Sequence, residues 1–167
     1  MLIRIAPISL ENAASFHACL DSVARERRYL AQIEAKPLAD IVEFVRTSVA
    51  KDAIQFVALD NEQVVGWADI FPAWAHAVAH SGTLGMGVLA PFRGRGIGAR
   101  LLVACIAKAE QQGITRIELE ARIDNLAAIR LYQRVGFVHE AVKKNALRFD
   151  GKYFDAAQMR LFIGDAR

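Results

Sequence analysis

The chain has little that would cross-link it and no segment suited to crossing a membrane as a helix. Two cysteines occur among 167 residues, Cys19 and Cys105, each inside a helical pattern. That count excludes a disulfide framework and fits buried free thiols in a reducing compartment. No apolar run approaches the roughly 20 residues of a membrane-spanning helix. Met1-Leu2-Ile3-Arg4-Ile5-Ala6-Pro7 lacks the basic start and long apolar stretch of a signal peptide. A cytoplasmic location with no membrane partner is the expectation. Charge of one sign is also scarce as a block, since the net charge of +3 is spread along the chain. This suits an anionic small ligand, and no nucleic-acid motif accompanies it. There is no internal repeat, linker or low-complexity segment. With 54% hydrophobic and 23% charged residues, residues 1–167 are expected to form a single domain with its own core.

What is present is concentrated in Val88-Leu89-Ala90-Pro91-Phe92-Arg93-Gly94-Arg95-Gly96-Ile97-Gly98-Ala99. An apolar segment passes through a basic, glycine-rich turn into a strongly helical segment, which is the order a phosphate-binding loop needs. Glycines let the backbone turn tightly and approach a ligand. The first amides of the following helix point at an anion and its dipole favours negative charge there. Arg93 and Arg95 add charge-assisted donors. A side chain at Gly96 or Gly98 is expected to occupy the phosphate's space. No Lys-Ser/Thr pair follows the glycines, which speaks against a nucleoside-triphosphate loop. Gly94-x-Gly96-x-x-Ala99, with Glu118 or Glu120 about twenty residues on, also fits a dinucleotide fingerprint. That motif, however, lies mid-chain after three strands, and the glutamates fall inside their strand.

Periodicity and caps predict the elements. Leu2–Pro7 reads as a strand, and Ser9 caps a helix over Leu10–Ala24. Pro37 opens a second helix to about Lys51. Ile54–Asp60 and Gln63–Phe71 form a hairpin around Asp60-Asn61-Glu62. Pro72–Gly82 is a loop, and Thr83–Leu89 a strand in which Gly85 and Gly87 suggest a bulge. Gly96–Gln112 is the clearest helix, stopped by Gly113. Ile114–Ile123 is a strand and Asn125–Val135 a short helix stopped by Gly136. Phe137–Val142 and Tyr153–Leu161 are the last strands, around a turn near Asp150-Gly151. The order is mixed α/β with a strand–helix–strand unit at its centre.

Arg93-x-x-Gly96-x-Gly98 resembles the pyrophosphate loop of the GCN5-related N-acetyltransferases (the GNAT family), Gln/Arg-x-x-Gly-x-Gly/Ala. Downstream, Asn125-x-x-Ala128-x-x-Leu131-Tyr132-x-x-x-Gly136-Phe137 resembles that family's second signature, and the order of elements matches over nearly the whole chain. The resemblance implies the GNAT fold: α/β (α+β), with a mixed, mostly antiparallel sheet of six to seven strands. That sheet would have a splayed central parallel pair and about four flanking helices. It implies acetyl-CoA as co-substrate, no metal, and direct attack by an amine in a ternary complex without an acyl-enzyme. The stretch Lys143–Ala156 resembles a bacterial subgroup acting on amino acids, amino-acid-like compounds and other small amines. A small-molecule amine is therefore the expected acceptor, antimicrobial amines included. The alternatives are a protein N-terminal or ribosomal-protein acetyltransferase, and a non-catalytic CoA-binding sensor. Dimers are common in that family, and nothing in the sequence specifies an interface.

The same resemblance assigns roles. The cofactor loop is Arg93, Gly94, Arg95, Gly96, Ile97, Gly98 and Ala99. The pantetheine arm would pair with Met86-Gly87-Val88-Leu89 like an added strand, and an amide near Val88 would polarise the thioester oxygen. Asn125 and Ala128 belong to the second signature, with Asn125 as helix cap, pantetheine ligand or both. Tyr132 is the expected general acid. The base is open, because Thr83–Leu89 contains no acid or histidine. Candidates are Asp69, Glu118, Glu120, His76 and His80, and Glu120 is the one chosen, acting through a water. A central strand buried on both faces should leave such a glutamate either paired or functional. Acceptor recognition is expected from Tyr29, Asp69, Phe71 and Trp74, with Arg28 or Arg148 available for a carboxylate.

Overall fold

The structure, a computed structural model, describes residues 2–166. The elements run β1 (Ile3–Pro7), α1 (Ala13–Ala24), α2 (Leu38–Ala50), β2 (Ile54–Asp60), β3 (Gln63–Pro72), β4 (Ser81–Val88), α3 (Ile97–Gln111), β5 (Arg116–Arg122), α4 (Leu126–Val135), β6 (Val138–Phe149) and β7 (Lys152–Phe162). The seven strands form one sheet in the order β1-β2-β3-β4-β5-β7-β6. Only β4–β5 is parallel among these pairings. No helix among the described residues is long and apolar enough to cross a membrane.

Each face of the sheet carries two helices because each helix has an apolar stripe to bury. On one face, Phe16, Cys19, Leu20 and Val23 of α1 and Ile41 and Val45 of α2 pack on Val57 and Trp67. Phe16 meets Trp67 edge to face, centroids 5.9 Å apart; a buried ring of this size contributes about 1.5–3 kcal/mol. On the other face, Leu101, Leu102 and Cys105 of α3 and Ile129 and Tyr132 of α4 pack on Ala68, Ile70 and Ile117.

Local chemistry sets the ends. Ser9 exchanges hydrogen bonds with Asn12 in a capping box that starts a short 3-10 turn before α1. Gly136 closes α4 in the left-handed region at φ 113°. Two expectations need correction. β4 contains no bulge: its register with β3 is continuous from Gly66–Val88 to Pro72–Gly82. Its glycines answer a packing need instead, since a Cβ at Gly87 would lie 2.3 Å from the Trp67 ring. The last strands are longer than their apolar alternation suggests. β6 runs to Phe149, although most of it is exposed, because its backbone pairs with β7 whatever its side chains face.

Candidate active site

The centre of the sheet opens. The β4–β5 ladder holds only Ser81–Arg116, Gly82–Ile117 and Thr83–Glu118, and beyond Thr83 the two strands separate. The Leu89 N–H donates to the Val65 carbonyl at 2.9 Å. In an antiparallel ladder the bonding direction alternates by residue. Leu84, Met86 and Val88 therefore turn their backbone groups away from β3, toward the gap beside β5. A peptide-like ligand entering there meets strand backbone with hydrogen bonds to give. The Val88 carbonyl is already engaged by Arg93 Nε at 2.8 Å.

Around this gap lies a cleft of about 400 Å³. Leu84, Gly85 and Met86 form one wall and Leu119 to Arg122 the other. Tyr29, Leu30 and Ala31 of the α1–α2 connection and Leu147 of β6 cover one end, and Asn125 and Tyr132 come from the α4 side. Tyr29 is held there by a cation–π cluster. The Arg122 guanidinium lies 5.0 Å from the Tyr29 ring centre and 3.9 Å from that of Phe154, while its Nε donates to Asp124 at 2.6 Å.

At the mouth, on the α3–α4 face, the glycine-rich loop enters α3. Gly94 and Gly96 have φ of 72° and 77°, and the positions a Cβ would take are open. The backbone ladder of α3 begins with the Arg100 N–H donating to the Gly96 carbonyl at 3.2 Å. The amides of Ile97, Gly98 and Ala99 precede that bond and lie at the positive end of the helix. This geometry fits a pyrophosphate. Two details differ from expectation. The Arg93 guanidinium is bound within the protein, to Glu26 at 2.6 and 3.0 Å, so it braces the loop against the end of α1. Gly98 serves packing: a Cβ there would lie 2.9 Å from Leu131 and 3.2 Å from Met86.

Tyr132 lines the cleft from α4, and burial pushes its phenol up to about 12. Asn125 accepts from the Ala128 N–H at 3.3 Å, capping α4 about two turns before Tyr132. Both cysteines are buried. Burial drives the Cys19 thiol up to about 12 and Cys105 higher still, so neither presents a thiolate nucleophile.

The acidic candidates separate. Glu120 is exposed and ion-paired with Lys143 at 2.8 Å. Glu118 pairs with Arg116, which also holds Glu140. β5 is therefore not buried on both faces, because its glutamate side looks into the cleft and solvent. Asp69 lies on β3, directly opposite Gly85. Burial pushes its carboxyl up to about 7, against the lowering effect of the Gly85 N–H. Of the residues expected to recognise the acceptor, Tyr29 lines the cleft. Phe71 instead packs on Phe44 of α2 at 5.8 Å, and Trp74 is 96% exposed in the β3–β4 connection. Both belong to the closed end of the β4–β5 pair, where the strands leave no room for a pocket. His76 and His80 are exposed in the same connection. Sequence reasoning passed over Arg122, whose buried charge ringed by aromatics organises the covered end of the cleft. Its only signal was an arginine closing a strand of alternating charged and apolar residues.

Solved structures with the same fold include an acetyltransferase of the GNAT family from Streptococcus pneumoniae. It is 26% identical, with a TM-score of 0.90 over 97% of this chain and 100% of that one. A phosphinothricin acetyltransferase from Sinorhizobium meliloti in complex with acetyl-CoA also has a TM-score of 0.90, at 18% identity, over 99% and 91% of the two chains. Among curated relatives, the L-amino acid N-acetyltransferase AaaT of Escherichia coli is 34% identical over 107 residues, 63% of this chain and 65% of its own length. The N-alpha-acetyltransferase 30 of Schizosaccharomyces pombe is 34% identical over 88 residues, 49% and 55% of the two chains. The match thus spans less than two thirds of these relatives' lengths. Residues 17–137, carrying both the glycine loop and the Asn125–Phe137 signature, match the Acetyltransferase (GNAT) family, and the chain belongs to that family.

Proposed function

We propose that the protein is an N-acetyltransferase that moves the acetyl group of acetyl-CoA to a primary amine of a small molecule, an amino acid or amino-acid-like compound among the foremost candidates. Acetyl-CoA supplies an acetyl group activated as a thioester. The loop Gly94–Ala99 would hold its pyrophosphate, and the backbone of Met86 and Val88 would pair with the pantetheine amides. A Val88 N–H turned into the gap is suited to the thioester oxygen. Tyr132, fully protonated at neutral pH, has a proton ready for the departing sulfur.

The observation that carries this reading is the splay of β4 from β5 next to an open helix N-terminus, with a buried phenol on the adjoining wall. The preference for a small amine rests on the covered end of the cleft. Tyr29 packs into the Arg122–Phe154 cluster, and Arg27 reaches Asp150 of the β6–β7 turn at 2.6 Å. The α1–α2 connection and the hairpin thus meet where an extended peptide would need to pass. A protein N-terminus is the second reading, favoured by the similarity to N-alpha-acetyltransferases such as the Schizosaccharomyces pombe protein.

The test is acetyl-CoA-dependent thiol release with amino acids, polyamines, aminoglycosides and short peptides. Turnover of a small amine above that of any peptide supports the first reading, and the reverse order supports the second. Silence across the panel, with CoA binding seen by calorimetry, would count against both and for a CoA sensor.

A further inference from the structure

The family's reaction needs a base on the side from which the amine arrives, and β4 offers none. Its positions on the α1–α2 face at the mouth of the splay are Gly85 and Gly87. Neighbouring β3 reaches across both. The Trp67 ring lies over Gly87, where a Cβ would fall 2.3 Å from it. Asp69 does the same at Gly85, with its Oδ1 3.1 Å from the position of a Gly85 Cβ. Gly85 itself lines the cleft, two residues past the last β4–β5 pair at Thr83. On the far side of Asp69, directly opposite on β2, is Gln55. It is 1% exposed, and neither atom of its side-chain amide has a partner among the described residues. A buried amide left unsatisfied costs about 1–3 kcal/mol. Gln55, Asp69 and Gly85 are therefore successive members of one cross-strand row that ends at the cleft.

We propose that Asp69 is the general base of this enzyme, taking a proton from the acceptor ammonium through one water that crosses the β4 backbone at Gly85. The inference rests on the acetyltransferase reading above. The arrangement has a clear physical logic: a glycine on β4 removes the side chain that would otherwise separate Asp69 from the cleft, so an acid one strand away can act at the gap. A carboxyl pushed up to about 7 by burial is partly ionised at neutral pH and accepts a proton at little cost. Few other charges act on it. Asp21 and Arg25 at α1, and Glu43 and Arg46 on α2, are engaged in ion pairs with each other. None of these, nor His17 or Asp40, contributes to the Asp69 shift. From α3, the Cys105 thiol feels Asp69 but stays neutral, since burial drives it far up. Glu118 and Glu120 are neutralised by Arg116 and Lys143.

One ammonium proton passes to Asp69 as the amine forms, and the nitrogen lone pair makes the new bond to the acetyl carbon. The carbon–sulfur bond breaks and the sulfur takes the Tyr132 proton. The second nitrogen proton leaves and restores Tyr132, and Asp69 returns its proton to solvent. Ammonium plus acetyl-CoA thus gives amide, CoA thiol and one proton.

The experiment combines kcat/KM against pH for wild type, Asp69→Asn and Glu120→Gln with a carbon-13 NMR titration of the Asp69 carboxyl in the protein free of acetyl-CoA. Wild-type activity should fall below a midpoint near pH 7, and the NMR titration should give the same midpoint. Asp69→Asn should lose that acidic limb and drop about 10²-fold or more at pH 7. It should recover as pH rises toward the amine's own pKa and keep its CoA affinity by calorimetry. A limb that survives in Asp69→Asn, or one removed by Glu120→Gln instead, overturns the proposal. So does an NMR midpoint near 4, which needs no variant and decides the matter even if Asp69→Asn fails to fold. Absence of any acetyl transfer by wild type would strike the underlying reading, an outcome distinct from these.

Discussion

A phenol held near 12 keeps its proton through the neutral range, which suits Tyr132 to the proton-donating role proposed for it. Tyr132→Phe removes only the hydroxyl and keeps the ring that packs on Phe137 at 5.9 Å. Its kcat should fall about 10²-fold or more with little change in CoA affinity, measured by thiol release and calorimetry. An unchanged kcat would remove Tyr132 as the acid. The loop glycines divide along similar lines. Gly96 sits at φ 77° over open space, so Gly96→Ala strains the backbone by about 1–2 kcal/mol and crowds the phosphate position. CoA affinity should drop at least tenfold while the fold survives. Gly98→Val instead drives a side chain into Leu131 and Met86. It should lower the midpoint of thermal unfolding as well, which scanning calorimetry of the two variants separates. Both glycines look alike in the motif, because the sequence does not say which one faces ligand and which faces α4.

The pairing of β3 with β4 is where elements become a site. Trp67 and Asp69 on one strand are matched by Gly87 and Gly85 on the next, large against absent. Gly87→Ala would set a methyl 2.3 Å from a ring locked against Phe16. Overpacking of this kind costs about 1–3 kcal/mol, and urea unfolding should show it as a lower midpoint with unchanged slope. If stability is unaffected, the Trp67 ring is not seated over Gly87. Most elements were readable from periodicity and caps. Asn125 opens α4, Ser9 opens the 3-10 turn that leads into α1, Gly113 and Gly136 follow α3 and α4, and the apolar face of α3 is the one that packs. The outer half of β6 was not, since its long exposed pattern carries no alternation and only pairing with β7 makes it a strand.

For the molecule as a whole, Asp69 ties stability to pH. Its folded pKa of about 7 lies above the ordinary carboxylate value. The unfolded chain therefore binds fewer protons than the folded one between about pH 4 and pH 7. The contribution of Asp69 to stability is full below that window and is lost as pH rises through it, by an amount on the order of 2–4 kcal/mol. Urea unfolding at pH 5 and pH 8 should show the difference, and Asp69→Asn should flatten it. A flat profile in wild type would mean that Asp69 titrates normally.

Two signatures, at Arg93–Gly98 and Asn125–Phe137, were enough to reach the family, because they are local: a turn, a helix start and a cap are written in consecutive residues. The resemblance to that family likewise carried the mixed sheet with its one parallel pair. What faces what across strands was beyond the sequence. On paper Glu120 was preferred as the base over Asp69, Glu118, His76 and His80, with no side-chain environment to weigh them by. Only the sheet order and the splay expose Glu120 to Lys143 and set a half-buried Asp69 behind a glycine. Phe71 and Trp74, likewise, look like pocket walls until the register places them at the closed end. Side-chain environment is set by which strand lies alongside and where two strands part, and those are properties of the folded sheet.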